Sequence, residues 1–265
     1  MSDSKTKYES YWGRFPSMIV DKAPLQDIWN TLTFYELTIT NRSQANKVLY
    51  NGVVSNYSGV TQVFQRYDVV LDYIKKFMTP ATDCIVDLGA GWGRNTFNMF
   101  LHNFPTNIDY YSLEYTEAGN QVAQDIYHKN VLPNSKKIDS HYILYTGLFD
   151  FNKPIIDFKK KYKNIIFLSH HSIEKVPQIK TAFFDLILGL DTYYTVIHME
   201  PIGWQMMDIN GPPYSVHLKY HNENLYQLLR TYEKNGKIKI LEIYKNQYSL
   251  FSLKNTTSIV SWIKN

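Results

Sequence analysis

Apolar residues change their spacing along this chain near residue 80. Over 60–78 they recur at helical intervals, with Val63, Phe64, Tyr67, Val70, Leu71 and Ile74 on one face. Pro80 closes that helix, since proline lacks a backbone donor and fixes φ. The rest of 1–80 reads as helices and connections, with Tyr11, Trp12, Phe15 and Trp29 scattered among polar positions. From residue 84 short apolar runs alternate with helical stretches. Strands are predicted over 84–88, 109–113, 140–145, 164–169 and 193–199, with helices from about Arg94 and Glu117 and over 177–190. This rhythm predicts a parallel sheet covered on both faces. The tail differs: 237–244 and 256–262 are strand-like with no helix-length segment between them, hence an antiparallel pair. The organisation expected is a helical N-terminal cap over 1–80 and an α/β domain over 81–265.

Composition narrows this picture a little. A length of 265 residues suits one α/β domain with an added cap. The net charge of +4 falls short of a nucleic-acid footprint. The densest basic run, Lys159-Lys160-Lys161-Tyr162-Lys163, is expected to coat the solvated end of a helix. A single cysteine, Cys84, excludes an internal disulfide and fits a reducing compartment. It lies in an apolar strand, where burial keeps a thiol inert. No run reaches the ~18 apolar residues of a membrane span, and Met1-Ser2-Asp3-Ser4-Lys5 lacks a signal peptide's apolar stretch. These features lead us to expect a soluble, cytoplasmic protein without a nucleic-acid partner.

The chemistry concentrates in Val86-Asp87-Leu88-Gly89-Ala90-Gly91-Trp92-Gly93-Arg94-Asn95. An apolar strand runs into three alternating glycines, and a helix follows. Such a loop lies at the carboxyl edge of an open sheet, where ligands bind. A dinucleotide fingerprint needs G-x-G-x-x-G, but Arg94 or Thr96 stands at its last glycine, depending on register. Asp87 would also repel a pyrophosphate, whereas it suits a ligand carrying positive charge. Glu114 ends the second strand, where a carboxylate can accept both hydroxyls of a ribose.

Asp87-Leu88-Gly89-Ala90-Gly91-Trp92-Gly93 together with Glu114 resembles the first two cofactor motifs of class I S-adenosylmethionine-dependent methyltransferases. The resemblance spans 80–265 by pattern. It implies a Rossmann-like seven-stranded methyltransferase sheet, mostly parallel with an antiparallel C-terminal strand pair, and S-adenosyl-L-methionine as cofactor. Asp87, Gly89, Ala90, Gly91, Trp92, Gly93, Glu114 and the adjacent Tyr115 would form its site. In this family an acid near the adenine amino group and an apolar residue on its face follow the third strand. Asp150 and Phe149 stand there, although Asp150 reads equally as the start of a surface turn. Ser169, at the end of the fourth strand, completes the set.

The fourth strand ends in Ser169-His170-His171-Ser172-Ile173-Glu174, the family's usual place for substrate-facing residues. Successive strand residues face opposite ways, so one histidine at most should face the transferred methyl group. Histidine is the commonest general base near neutral pH, and His171 is the preferred candidate. Glu200 ends the fifth strand on the same rim and reads either as a substrate or histidine contact or as a cap. His217 and His221 flank Tyr220 at four-residue spacing, but no third ligand stands close by, so no metal is expected.

The Asn-Pro-Pro-Tyr-type motif of base-amine methyltransferases is absent after the fourth strand. The histidine motif, Glu200-Pro201-Ile202-Gly203-Trp204 and the 256–262 segment are instead similar to bacterial surface-glycan methyltransferases. That resemblance implies O-methylation of a sugar or sugar nucleotide with a histidine base. N-methylation of a small amine or protein side chain, and a non-catalytic cofactor-binding scaffold, are the alternatives.

Overall fold

The computed structural model describes residues 2–39, 48–50, 53–55, 59–135, 141–206, 222–249 and 256–265. The N-terminal part supplies α1 (Ser2–Trp12), α2 (Leu25–Ile39), a short hairpin of β1 (Val48–Tyr50) and β2 (Val53–Ser55), and α3 (Gly59–Phe77). Then come β3 (Cys84–Leu88), α4 (Arg94–Leu101), β4 (Asp109–Glu114) and α5 (Glu117–Ile126). A π-helical turn (Tyr127–Val131) leads from α5 into α6 (Leu132–Ser135). The rest is β5 (Ile143–Leu148), β6 (Asn164–His170), α7 (Thr181–Leu188), β7 (Tyr193–Glu200), α8 (Leu225–Lys234), β8 (Ile238–Ser249) and β9 (Thr256–Lys264).

All nine strands form one sheet, in the order β2-β1-β8-β9-β7-β6-β3-β4-β5. Pairing from β7 through β6, β3 and β4 to β5 is parallel, while β9 is antiparallel to both β7 and β8. The seven strands from β3 onward have the Rossmann-like methyltransferase arrangement that the motif resemblance implies. The β1–β2 hairpin extends it through one antiparallel pairing, Tyr50 with Tyr248. Sequence periodicity missed this hairpin because strands of three residues are too short to show an alternation.

The order of strands follows from burial. All five residues of β3 and all six of β4 are buried, as a strand covered on both faces requires. One core lies between the sheet and α1–α5 and includes Trp29, Tyr67, Ile74, Phe97 and Ile126; the other lies under α7 and α8. Tyr67, Val70, Leu71 and Ile74 of the predicted α3 face are buried. The side chains of Val63 and Phe64, the positions of Ser140, His217, Tyr220 and His221, lie outside the described set.

Three expectations need correction. The run Lys159–Lys163 lies in irregular chain before β6, not on a helix; Tyr162 anchors it, donating to Asp109 Oδ2 at 2.6 Å, and Lys160 pairs with the same carboxylate at 3.0 Å. The third strand starts at Ile143 and extends to Leu148, so Gly147 and Leu148 belong to it. Helix α8 was not anticipated, though Leu225, Leu229 and Tyr232 are buried at helical spacing. Cys84 is fully buried, and burial pushes its thiol pKa well up, as inertness requires.

Because Leu229 packs with no exposed surface, Leu229→Ala should cost about 2–5 kcal/mol of stability. Urea unfolding would measure this, and a loss below 1 kcal/mol would place α8 off the core.

Candidate cofactor and acceptor site

The glycine loop begins where β3 ends. Gly89, Gly91 and Gly93 all have positive φ (71°, 61° and 81°), which only glycine adopts freely. The N–H groups of Gly89 and Ala90 donate to the Leu113 carbonyl at 2.7 and 2.9 Å, tying the loop to β4. At Gly89 a Cβ would lie 2.3 Å from the Ser172 Cβ, so the loop also packs directly against the turn after β6. The Trp92 ring is buried and stacked on Phe97, with its N–H directed at Glu36 at 3.5 Å.

Two carboxylates flank this loop. Asp87 is buried, and both of its carboxylate oxygens accept from one amide nitrogen, Asn95 Nδ2, at 3.3 Å each. Burial raises its pKa to about 7 against the opposing Asn95 hydrogen bond and Arg94 charge. Glu114 is also buried and pushed upward by burial, despite the bonds it accepts. Those bonds come from Gly91 N–H at 2.9 Å and from the Thr116 hydroxyl and N–H at 2.8 and 3.2 Å. Glu114 therefore sits at the end of β4, against the loop backbone.

The other expected residues are spread around it. Tyr115 is 41% exposed, beneath the Lys5 ammonium. Phe149 is buried edge-on to Phe151, and its N–H donates to the Glu114 carbonyl at 2.8 Å, so it flanks β4. Asp150 accepts from Asn152 N–H at 2.8 Å, the turn geometry anticipated as its second reading. Ser169 is fully buried and bonds His198 Nδ1 at 2.8 Å. Burial drives His198 down to about 3, so it is neutral in the core.

In the turn after β6, Glu200 defines the geometry. It is fully buried, and its Oε1 accepts from the N–H groups of Ser172 and Ile173 at 3.1 Å each. Its Oε2 accepts from Glu174 N–H at 3.2 Å. Of the two sequence readings, Glu200 thus fulfils the cap. This cap holds His171 at φ 53°, an uncommon conformation for a residue with a Cβ. Burial, with the Glu174 charge adding to it, raises Glu200 to about 7.

The histidines have distinct surroundings. His171 Nδ1 lies 3.1 Å from Glu174 Oε2 and Nε2 lies 2.6 Å from the Thr257 hydroxyl. A carboxylate only accepts, so Nδ1 carries the hydrogen and Nε2 is the basic nitrogen. Burial would raise Glu174, but His171, when its ring is protonated, and Lys175 hold its carboxyl well below the usual range. His170 is more deeply buried, with Nδ1 at 3.1 Å from Asn95 Oδ1 and Nε2 at 3.2 Å from the Tyr248 hydroxyl. Sequence reasoning missed Glu174 and Asn95. The His-x-x-Glu spacing could have revealed the first; nothing local marks the second. Among the described residues no three His, Cys, Asp or Glu side chains converge to hold a metal, and no helix is long and apolar enough to cross a membrane.

The Asp87 geometry makes a pH-dependent prediction. Its folded pKa lies above the unfolded value, so its contribution favours folding below about pH 4 and is lost as pH rises through 7. Asp87→Asn should therefore stabilise the ligand-free protein by about 2–4 kcal/mol at pH 8 and by little at pH 4. Urea unfolding at both values checks it; equal effects would show that the carboxylate is not under desolvation strain.

No family model matches this chain, and no curated protein matches it either. Among solved structures it is similar to magnesium protoporphyrin IX methyltransferase (ChlM) from Synechocystis PCC 6803 with bound SAH. The identity is 14% over 77% of this chain and 84% of that one, with a TM-score of 0.48. It is also similar to the glycopeptide N-methyltransferase MtfA complexed with S-adenosyl-L-methionine, at 11% identity over 75% and 94% and a TM-score of 0.48. A third similar structure is a SAM dependent methyltransferase from Aquifex aeolicus, at 13% identity over 74% and 89% and a TM-score of 0.43.

Proposed function

We propose that this chain is an S-adenosylmethionine-dependent O-methyltransferase in which His171 takes the acceptor's proton. The observation that carries the cofactor reading is Asp87, a buried carboxylate at the strand end beside a glycine loop, raised to about 7 by desolvation. A ligand bearing ammonium and sulfonium charge would relieve that strain, and a pyrophosphate would increase it. The residues fit the cofactor in two further respects. The three glycines turn the loop backbone at positive φ, and Glu114, which accepts from the Gly91 N–H, brings a carboxylate suited to vicinal hydroxyls.

S-adenosylmethionine supplies an already electrophilic sulfonium methyl group, so placement of the nucleophile is most of the task. Orientation of that kind contributes about 7–11 kcal/mol. Here Glu200 fixes the turn, Glu174 fixes the imidazole, and Nε2 of His171 is left to accept a proton from a hydroxyl. The Thr257 hydroxyl already occupies that hydrogen-bonding position. This arrangement supports an oxygen acceptor over an amine, because Glu200, the carboxylate an amine reading needs, is spent on backbone N–H groups. The acceptor we propose is a sugar or sugar nucleotide of a bacterial surface glycan, supported by the resemblance of the histidine, Glu200 and 256–262 segments. We place the reaction in the cytoplasm, in keeping with the lone buried Cys84, with 1–80 as the substrate-side cap and 81–265 as the cofactor domain.

Calorimetry should show binding of S-adenosylmethionine and S-adenosylhomocysteine, and none of NAD. Affinity should rise with pH through about 7, with proton release, because the positive ligand favours ionised Asp87. Gly91→Val should abolish binding, and Glu114→Ala should weaken it by about 1.5–3 kcal/mol. Unchanged affinity in both variants would remove the loop from the site.

With an acceptor identified by screening, His171→Ala should lower turnover by about 10²–10⁴ and leave cofactor affinity nearly intact. A loss smaller than tenfold would rule out base catalysis by His171.

A further inference from the structure

We propose that α1 is a strap over the cofactor site, latched by Glu9 and contacting the ligand through the Trp12 indole. This rests on the cofactor reading above and goes beyond it, since neither Glu9 nor Trp12 belongs to the motif residues. Three observations on α1 converge. The Glu9 carboxylate accepts from Glu117 N–H and Ala118 N–H at 2.9 and 2.8 Å, capping α5 across 108 and 109 residues of chain. A carboxylate is favoured there, where free N–H groups give the helix start a positive potential. Three residues later, the Trp12 ring lies over the glycine loop. A Cβ at Gly91 would be 3.2 Å from Trp12 Cζ2, and one at Gly119 would be 3.1 Å from Cδ1 and 2.8 Å from Glu114 Cγ. The indole thus bridges the glycine loop and the start of α5, on the Glu114 side.

The third observation is an unmet donor. Trp12 is 8% exposed, and its Nε1 is buried without a hydrogen-bond partner. A buried N–H left unpaired is costly, and such groups commonly mark a ligand contact. The donor is attached to Cδ1, which like Glu114 Cγ lies beside Gly119, so the oxygen it can meet is on the ribose that Glu114 would bind. Tyr8 continues α1 towards the histidine turn: burial raises its phenol, and the Lys175 charge opposes that shift. A ligand cannot approach Gly91 while the indole covers it. The Glu9 clasp therefore has to open for ligand to enter or leave, and Trp12 closes on the ribose afterwards.

Stopped-flow fluorescence with S-adenosylhomocysteine tests this, using wild type, Glu9→Gln and Trp12→Phe. Weakening the clasp in Glu9→Gln should raise association and dissociation rates each about tenfold, with affinity changed less than threefold. Trp12→Phe keeps an aromatic ring and removes the donor; it should weaken S-adenosylhomocysteine and adenosine alike, by about tenfold. Unchanged rates in Glu9→Gln overturn the strap. Sensitivity of S-adenosylhomocysteine without sensitivity of adenosine overturns the ribose contact. If wild type binds neither compound, the cofactor reading itself fails and the strap fails with it.

Discussion

The carboxylate of Glu200 organises the reacting edge of this protein. From the end of β7 it accepts three successive backbone N–H groups of the 172–174 turn. That turn then does two things. Ser172 donates to the Leu88 carbonyl at 2.8 Å and packs its Cβ where a side chain on Gly89 would otherwise stand, which sets the start of the glycine loop. His171, held at positive φ, receives its orientation from Glu174 in the same turn. One buried acid therefore links the glycine loop and the histidine turn. Backbone strain of this kind persists only where surrounding contacts over-determine it, and a functional site is the usual reason.

Four carboxylates gather on this rim, and their environments separate their charge states. Glu174 has a histidine and a lysine beside it and stays ionised. Asp87 and Glu200 have mainly burial acting on them and are raised to about 7. Glu114 is shifted the same way, with the hydrogen bonds it accepts resisting. A fold selected for stability alone would replace such groups with neutral ones, because burying a charge without a counter-charge is costly. Their retention fits a site that receives its missing positive charge from a ligand. It also separates the two sides: on the glycine-loop side Arg94, the cation near Asp87, is paired with Glu36, while on the histidine side Lys175 pairs directly with Glu174.

How much of this was readable in sequence depended on distance along the chain. The β3–loop–α4 unit was legible because its requirements are local: an apolar run, glycines where φ turns positive, and an acid two residues earlier. Glu114 was legible for the same reason, since strand length and helix length fix where β4 ends. The hairpin of β1 and β2 was too short to leave a period, and the lysine run misled because charge alone does not distinguish a helix end from a tethered loop. Asn95 could not be assigned its place, because it meets His170 across 75 residues. Glu9 and Trp12 were visible only as a polar and an aromatic residue in a helix of weak amphipathic pattern. Their significance arises where α1 lies against α5, a contact that no window of sequence contains.

Asn95 adds a connection that neither side of the site has alone. It gives its amide hydrogens to Asp87 and its oxygen to His170 Nδ1, and His170 passes the chain on to Tyr248. Because an ionised Asp87 can only accept, the amide cannot rotate without losing both bonds, and the His170 tautomer is fixed with it. His198 is fixed in the same sense, since the Trp262 N–H donates to its Nε2 at 3.1 Å and leaves Nδ1–H for Ser169. His170 and His198 are thus tied to the sheet's edge through both ring nitrogens, whereas His171 bonds Glu174 of its own turn and the Thr257 hydroxyl. Two histidines therefore hold the scaffold, and the third, His171, is the one whose ring is oriented by a carboxylate.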